Sequence, residues 1–169
     1  VVLAPGFKHF AHVPDELRPR LPAGAFEHTS QFVDFSEAAN KRYLIIGGRQ
    51  SAFEWAALLL EAGAAVHLIH RHASPAFRVA DWSWVNPLVD NMVENPAWFR
   101  RLSQQEKDDV SHRLWAEGRL KVEPWLEPRL KSDRVNVWPH TELVSCTQND
   151  NGELTAVLSN EKAINVDKI

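Results

Sequence analysis

The strongest pattern of hydrophobic and polar positions lies in residues 43–71. Residues 43–46 are a short apolar run, typical of a strand that is buried on both faces. A Gly-Gly pair interrupts this run, and the following segment is rich in Ala and Leu, which favours a helix. Gly63 stands where a helix C-cap glycine is expected, and residues 66–69 read as a second strand. The pattern therefore predicts a strand–turn–helix–strand unit.

Helical spacing returns, in several pieces, over residues 85–117. Ser103–Glu106 has the sequence of a capping box, and Asn86–Pro87 reads as a helix N-cap followed by a proline at the first helical position. These signals predict a helical insert between the second and the third strand. Residues 121–123 are expected to form that third strand.

The C-terminal part of the chain alternates short apolar runs with turns. Residues 143–146 and 154–158 flank a polar Asn-Gly loop, which predicts a hairpin, and residues 163–166 lead to a last strand. Residues 73–84 and 125–134 are predicted to be irregular. The fold class that follows is α/β: a Rossmann-like parallel sheet with a helical insert after the second strand and a C-terminal β-hairpin or meander.

Composition narrows the class of protein. The 169 residues are 44% hydrophobic and 24% charged, which is ordinary for a globular domain, and the net charge of −3 gives no bulk attraction to nucleic acid or to an anionic membrane. A single cysteine, Cys146, excludes an intrachain disulfide, so a cytoplasmic location is expected. No apolar run is long enough for a membrane span, and the histidines lack metal-ligand spacing, so neither membrane nor metal is predicted.

The ends of the sequence suggest a larger protein. The chain begins at Val1 without a methionine and stops at residues 167–169, which resemble the start of another strand. We therefore expect an excised part of a longer chain. Residues 1–4 are predicted to form a strand that pairs onto the sheet beyond residues 167–169. Residues 8–40 carry prolines and little periodicity, which indicates a linker.

The turn after the first strand has the composition of a phosphate site. The first N–H groups of a helix lack partners and carry partial positive charge, which suits a pyrophosphate. The dinucleotide fingerprint is G-x-G-x-x-G/A, and the sequence here runs Gly47-Gly48-Arg49-Gln50-Ser51-Ala52. The first glycine and the last small residue are in place, whereas Arg49 replaces the middle glycine. The flanking strand and helix favour dinucleotide binding over a Gly-rich turn without a ligand.

The end of the second strand bears on the choice of nucleotide. NAD sites place an Asp or Glu near this position, where it binds the ribose 2′-hydroxyl. Here His70 stands at that place and Arg71 follows it. The missing carboxylate and the positive charge favour a 2′-phosphate, hence NADP(H), with NAD as the other possibility. The alternative is that Arg71 simply ends a strand in solvent.

Four short segments, in this order, carry a family resemblance. Leu3–Phe7 resembles the ATGF/ATGY segment of flavin domains, with Pro5 where threonine is usual, and His28–Ser30 resembles the H-S/T-S stretch that precedes a nicotinamide domain. Gly47–Glu54 resembles the G-x-G-x-S-A-x-E turn, and Asp167–Ile169 resembles the start of the crossing back to the flavin domain. The chain thus resembles the NAD(P)H-binding half of two-dinucleotide-domain flavoproteins, namely flavin-dependent and N-hydroxylating monooxygenases and related pyridine-nucleotide oxidoreductases.

The resemblance implies a division of the chain and a function. Residues 1–40 would be an N-terminal strand and linker from the flavin-domain side, and residues 41–169 the NAD(P)-binding domain with its helical insert at 85–117. NADPH would bind here and deliver hydride to FAD, held by the flavin domain of the full-length chain, because that domain's own Gly-rich turn is not present. The chain alone is therefore expected to be inactive and to hold no catalytic residue.

The resemblance also implies roles for single residues. Gln50 would lie beside the nicotinamide ribose, Glu54 near the nicotinamide–flavin contact, and Arg71 at the 2′-phosphate. Asn86 loosely resembles a substrate-side residue of the N-hydroxylating enzymes, although Pro87 favours a helix N-cap as the explanation. The guanidinium of Arg49 either reaches the phosphates or fills their place, and both remain open. The residues implied at the pyrophosphate are Gly47, Gly48, Arg49, Gln50, Ser51 and Ala52.

A second function, from another class, also fits the sequence. A Rossmann-like domain that no longer binds nucleotide could act as an interaction or scaffold module, and Arg49 favours this reading. So does the clustering of tryptophans, five of which fall between Trp82 and Trp125. The sequence argues against a short-chain dehydrogenase, because the only tyrosine, Tyr43, lies in the first strand, where no Tyr-x-x-x-Lys catalytic pair can form. The sequence indicates neither a particular substrate nor an oligomeric state.

Overall fold

The computed structural model describes residues 11–31 and 34–169. The strand predicted for residues 1–4, its pairing onto the sheet, and the Leu3–Phe7 segment lie outside the described residues. A short 3₁₀ helix, Arg18–Arg20, precedes the regular part of the chain. The elements that follow are β1 (Arg42–Ile46), α1 (Gln50–Glu61), β2 (Ala65–Ile69), β3 (Ala76–Phe77), α2 (Asn86–Glu94), α3 (Trp98–Arg101), α4 (Gln104–Arg119), β4 (Lys121–Val122), α5 (Leu126–Arg129), β5 (Val135–Trp138), β6 (Leu143–Gln148), β7 (Leu154–Leu158) and β8 (Ala163–Val166).

The centre of the molecule is a parallel sheet in the order β1-β2-β5, sandwiched between two layers. Side chains alternate along β1: Tyr43 and Ile45 pack into a cluster with α1, while Leu44 and Ile46 pack into a second cluster with β6 to β8. Both faces of β1 are therefore covered, as the apolar run predicted. The predicted α/β class with a parallel sheet and a C-terminal meander is confirmed.

Burial defines α1. One face of this helix is lined by Ala and Leu residues and by Phe53, which is 2% exposed and packs edge-on against Phe77 with the ring centroids 5.7 Å apart. The helix ends as predicted at Gly63, whose φ of +91° is the left-handed conformation that glycine adopts most easily. The N–H of Ala64 then donates to the carbonyl of Leu59 at 2.9 Å, which satisfies one of the last free carbonyls of the helix.

The helical insert is confirmed as α2, α3 and α4, and none of its three helices contains a buried residue. The capping box at the start of α4 is present: Ser103 N–H donates to Glu106 at 2.8 Å, and Glu106 N–H donates to Ser103 at 3.3 Å. The predicted N-cap role of Asn86 is wrong. A 3₁₀ turn over Ser83–Val85 runs straight into α2, so Asn86 already has helical φ and ψ and its side chain caps nothing.

The predicted third strand is also wrong in part. Residues 121–122 do form a strand, but β4 pairs in parallel with β3 as a separate two-stranded sheet. The third strand of the central sheet is β5, which follows a stretch predicted to be irregular. Both two-residue strands are too short to give a period-2 pattern, and the polar Asn136 inside β5 interrupts its hydrophobic run. The hydrophobic pattern of these segments was therefore too weak to predict which strands pair.

The C-terminal hairpin is confirmed as β6 and β7, which pair antiparallel, and β8 adds a third strand to this sheet. Beyond β8 the chain returns to the central sheet, where Lys168 bridges Tyr43 in parallel. Arg42 fixes this return, because its Nη2 donates to Asp167 Oδ1 and to Glu153 Oε1, both at 2.7 Å. Among the described residues, no helix is both long enough and apolar enough to cross a membrane.

Candidate functional site

The site predicted from the sequence is the turn between β1 and α1, at the carboxyl end of the parallel sheet. In the described parts of the chain, the backbone N–H groups of Gly48, Arg49, Gln50 and Ser51 have no hydrogen-bond acceptor. No side chain caps α1 either, since Arg49 occupies the N-cap position without a capping bond. Four free donors at the positive end of a helix are the arrangement that binds a phosphate group.

Gly48 is required by a close approach between the turn and β2. It is buried, and a Cβ built on it would lie 2.5 Å from His70 Cγ and 2.8 Å from His72 Cε1. At Gly47 an added Cβ would meet Ala52 Cβ at 3.4 Å, which shows how closely the helix packs on the turn. The fingerprint's small residues therefore have steric reasons in this chain.

Arg49 stands where the fingerprint has its middle glycine, and the backbone tolerates it. Its φ of −117° and ψ of −179° are extended, a conformation that any residue adopts. The side chain leaves the turn and reaches α4, where Nη1 donates to the carbonyl of Arg119 at 2.5 Å. Its guanidinium also lies 5.1 Å from the ring centroid of Trp115. This position is neither of the two that the sequence left open, because the side chain points to the insert and not to the phosphate site.

Gln50 and Glu54 are brought together on the first turn of α1. Gln50 Nε2 donates to Glu54 Oε1 at 2.7 Å, and Gln50 Oε1 accepts from the N–H of Glu123 at 3.0 Å. The amide of Gln50 thus links α1 to the residue after β4. A cavity of about 160 Å³ lies beside it, and Trp82 and Lys121 also line this cavity.

Positive charge surrounds the turn. Arg71 is exposed directly after β2, and Arg71 and Arg119 both act on Arg49 electrostatically. Burial, followed by the repulsion of these two cations, lowers the pKa of Arg49. Among the described residues none of the three forms a salt bridge with a carboxylate. An anion at this turn would meet uncompensated positive charge.

His70 occupies the position where an NAD site has its carboxylate. The side chain is 4% exposed, and its Nδ1 donates to the carbonyl of His72 at 2.7 Å. Burial lowers the pKa of His70, so the ring is neutral at pH 7. A buried ring that already donates within its own loop offers no carboxylate to a ribose, whereas the neighbouring Arg71 side chain reaches solvent.

A larger cavity, of about 390 Å³, lies elsewhere, between residues 12–29, the β1 strand and residues 167–169. It contains none of the turn residues 47–52. The turn remains the better candidate, because its free N–H donors and positive charge suit an anion. The larger cavity has only a mixed lining of apolar and polar side chains. Asn86 lines neither cavity and lies exposed at the start of α2, away from the groups that the turn brings together.

A family model matches well over half of the chain. Residues 1–112 match the pyridine nucleotide-disulphide oxidoreductase family, and the match contains the turn, α1 and β2. The chain belongs to this family. It is therefore part of an oxidoreductase, and its fold is the Rossmann-like one that the sequence predicted. No curated protein sequence matches it significantly.

Solved structures of N-hydroxylating flavoproteins share the fold. The ornithine hydroxylase of Pseudomonas aeruginosa aligns with a TM-score of 0.67 at 19% identity, over 94% of this chain and 42% of its own. The L-lysine 6-monooxygenase of Pseudomonas syringae gives 0.61 at 17%, over 93% and 41%. The ornithine N-hydroxylase of Kutzneria sp. 744, described with reduced FAD, NADP+ and L-ornithine, gives 0.56 at 20%, over 76% and 34%. The chain thus spans less than half the length of these relatives.

Sequence reasoning missed the partners of the turn. It placed Arg49 at the phosphates or in their place, but the acceptor is a main-chain carbonyl of Arg119, 70 residues further along. The sequence did carry one signal, an arginine in a glycine position together with tryptophans in the insert, including Trp115. A main-chain acceptor leaves no mark on residue type, so the carbonyl itself could not be found in this way. The predicted roles at the turn and of Arg71 and Asn86 stay predictions.

Proposed function

We propose that residues 41–169 form the nicotinamide-nucleotide-binding domain of a flavin-dependent oxidoreductase of the monooxygenase type. Residues 1–40 are the connection from the flavin-domain side, and FAD is held by a flavin domain outside this chain. NADPH, when bound, supplies the hydride that reduces that flavin. The contribution of this chain is to bind and orient the nucleotide.

One observation carries the proposal: among the described residues, four N–H groups of the turn at the N-terminus of α1 have no acceptor, and the three arginines near them have no carboxylate partner. This arrangement fits a dianionic pyrophosphate and would repel a cation. The matched family and the fold of the relatives agree with it. Gly47, Gly48 and Ala52 keep the turn compact, so that the donors of residues 48–51 point to one ligand.

The remaining roles follow from position on the turn. Gln50 and Glu54 are paired at 2.7 Å at the start of α1, beside the free donors, so this polar pair is placed to contact the ribose and nicotinamide part of the nucleotide. Arg71 is the exposed cation next to the buried His70 and is assigned to the 2′-phosphate. Asn86, exposed at the first turn of the insert, is kept as a candidate contact of an amino-acid-like substrate.

Nucleotide selectivity tests the proposal. We expect the protein to bind NADPH more tightly than NADH in calorimetric titrations, because Arg71 contacts the 2′-phosphate. A hydrogen bond to a charged group contributes about 1.5–3 kcal/mol, so Arg71→Ala should weaken NADPH binding tenfold or more. NADH binding should not change.

A matched control separates a local contact from the general loss of positive charge. Arg101→Ala removes another exposed arginine, from α3 of the insert, and should leave both affinities unchanged. Equal wild-type affinities for NADPH and NADH would reject the role of Arg71. Failure of both nucleotides to bind would reject the domain's proposed function.

A second candidate function has its own observation. The side chains of Arg49 and Gln50 are already engaged with Arg119 and Glu123, and Trp115 and several apolar residues of the insert are exposed. A Rossmann-like domain that no longer binds nucleotide and serves as an interaction module would look like this. The titrations above decide between the two functions. If the domain is only a scaffold, neither NADPH nor NADH should bind.

A further inference from the structure

Arg49 joins the turn to the helical insert. Within the described residues, its bond to the carbonyl of Arg119 is the only hydrogen bond between residues 82–119 and the chain outside residues 76–121. The other bonds at the base of the insert, such as that from the N–H of Asp81 to Glu117 at 2.8 Å, stay within residues 76–121. One side chain therefore carries the polar connection between the two parts.

Both contacts of Arg49 lie at the C-terminal end of α4. Arg119 is the last residue of α4, and its carbonyl is one of the four that no intrahelical N–H can reach. It also lies at the negative end of the helix dipole, where a cation is favourable. Trp115 stands four residues earlier and so presents its ring one turn away, 5.1 Å from the guanidinium. The guanidinium therefore holds one end of α4 by two different interactions.

The same residue belongs to the anion site. The N–H of Arg49 is one of the four free donors, so a pyrophosphate at the turn would lie next to the root of its side chain. A guanidinium binds phosphate oxygens as a bidentate donor and meets full negative charge there, whereas the carbonyl of Arg119 is a neutral acceptor that takes a single bond. The electrostatic repulsion from Arg71 and Arg119 in the ligand-free arrangement adds to this preference.

We propose that Arg49 is a positioning residue that docks the C-terminal end of α4 on the turn, and that the pyrophosphate of a bound dinucleotide competes for its guanidinium. This inference rests on the proposed function. When the nucleotide binds, Arg49 leaves Arg119 and Trp115, and the end of α4 is released. No residue of α4 is buried, so the polar contacts left at that end in the described structure come from residues next to α4 in the chain, namely those of Asp81 and Lys121 with Glu117. Binding of a nucleotide at the turn in this way changes how firmly the insert is held.

Amide hydrogen exchange across α4 tests the two halves of the proposal separately. Without ligand, Arg49→Ala should speed exchange in the last turns of α4 by roughly tenfold, the scale of losing a hydrogen bond and an aromatic contact. In the wild type, saturating NADPH should produce the same increase, and inorganic pyrophosphate a part of it. In Arg49→Ala, neither ligand should change exchange in α4 further.

Arg113→Ala is the matched control. Arg113 also stacks on a tryptophan, with its guanidinium 4.4 Å from the ring centroid of Trp84, but it lies within the insert and does not contact the turn. The NADPH-induced increase should persist in this variant and vanish in Arg49→Ala.

The outcomes distinguish failure of the proposed competition for Arg49 from failure of the proposed function. If calorimetry shows NADPH bound and exchange in α4 does not change, the competition is rejected while the nucleotide site stands. If NADPH does not bind, the proposed function and the competition both fail. The docking role is decided without any ligand, because unchanged exchange in ligand-free Arg49→Ala would reject it.

Discussion

Helices α1 and α4 are stabilised in opposite ways. Six of the twelve residues of α1 are buried, yet its N-terminus has no side-chain cap. In contrast, α4 has sixteen residues and none of them is buried, but it begins with a complete capping box. Its exposed surface carries further local pairs, such as Gln104 with Asp108 at 2.8 Å, four residues apart. Tertiary packing maintains α1, whereas local sequence maintains α4.

This difference bears directly on function. A helix held by its neighbours can leave its first N–H groups free, and at α1 these groups form the candidate phosphate site. A helix held by local interactions needs its cap, so at α4 the N–H groups of Ser103 and Glu106 are bonded within the capping box, and the carboxylate of Glu106 lies at the helix N-terminus, where it would repel an anion. Of these two helix N-termini, only that of α1 is open to an anion. The helix without a side-chain cap at its N-terminus is thus the one that can bind.

The largest expected effect comes from the packed face of α1. Phe53→Ala removes a side chain that is 2% exposed and in contact with Phe77, so it should lower the free energy of unfolding by about 3–5 kcal/mol. Leu114→Ala is the matched control in α4, where the side chain is 41% exposed, and should change it by less than about 0.5 kcal/mol. Denaturant unfolding measures both. Comparable losses would mean that the insert is packed as firmly as α1.

A pair of glycine substitutions sharpens the contrast. In Gly48→Ala the new Cβ meets the buried His70 ring at 2.5 Å, which should cost about 1–3 kcal/mol and weaken nucleotide binding with it. In Gly118→Ala the new Cβ meets only an edge atom of the Trp82 indole, at 3.3 Å, and alanine favours the helix. That variant should be neutral or slightly more stable. Thermal unfolding of both decides, and a destabilising Gly118→Ala would show that the insert is tightly packed there.

The sequence predicted the elements whose signals are local or strongly periodic. The β1–α1–β2 unit, the capping box of α4 and the β6–β7 hairpin have these signals, and each is present. The central sheet's third strand was misplaced because β4 and β5 are defined by their partners rather than by their own composition. Asn86 was misread as a cap because a 3₁₀ turn upstream, held by Asp81, already starts the helix.

At the candidate site, the sequence indicated small residues in the turn but not the groups that the side chains contact. Gly47 and Ala52 could be inferred from the fingerprint, and their Cβ positions do approach closely, whereas the close approach of Gly48 to His70 came only from the structure. The contacts of Arg49 with Arg119 and of Gln50 with Glu123 join residues about 70 positions apart, and each uses a main-chain group on one side. Main-chain groups are the same in every residue, so such contacts emerge only from the folded chain.

The return of the chain to the central sheet should depend on pH. Hydrogen bonds from Arg42 hold the pKa of Asp167 below its ordinary value, so the ion pair contributes stability that is present above about pH 4 and is lost as the pH falls through the lowered pKa. The partly exposed pair should be worth about 1 kcal/mol, and Asp167→Asn should remove it at pH 7. Unfolding at pH 7 and pH 3 should show the difference from wild type shrinking at the lower pH. A difference that stays constant would exclude this ion pair as its cause.

The smallest global effect, and the most local one, is expected at the cap of α4. Ser103→Ala removes the hydroxyl that accepts from the N–H of Glu106, which should destabilise the first turn by about 1 kcal/mol. Because α4 buries nothing, this turn can open without disturbing the sheet, so the global free energy of unfolding should change by less than about 0.5 kcal/mol. Hydrogen exchange should therefore quicken at residues 104–107 while the denaturation midpoint stays in place.

Ser111→Ala, at an exposed position inside the same helix, is the control and should slow exchange slightly, since alanine is the better helix former. If Ser103→Ala instead lowers the global midpoint as much as the local protection, α4 unfolds together with the sheet, and the distinction between a helix held by packing and a helix held by local sequence fails.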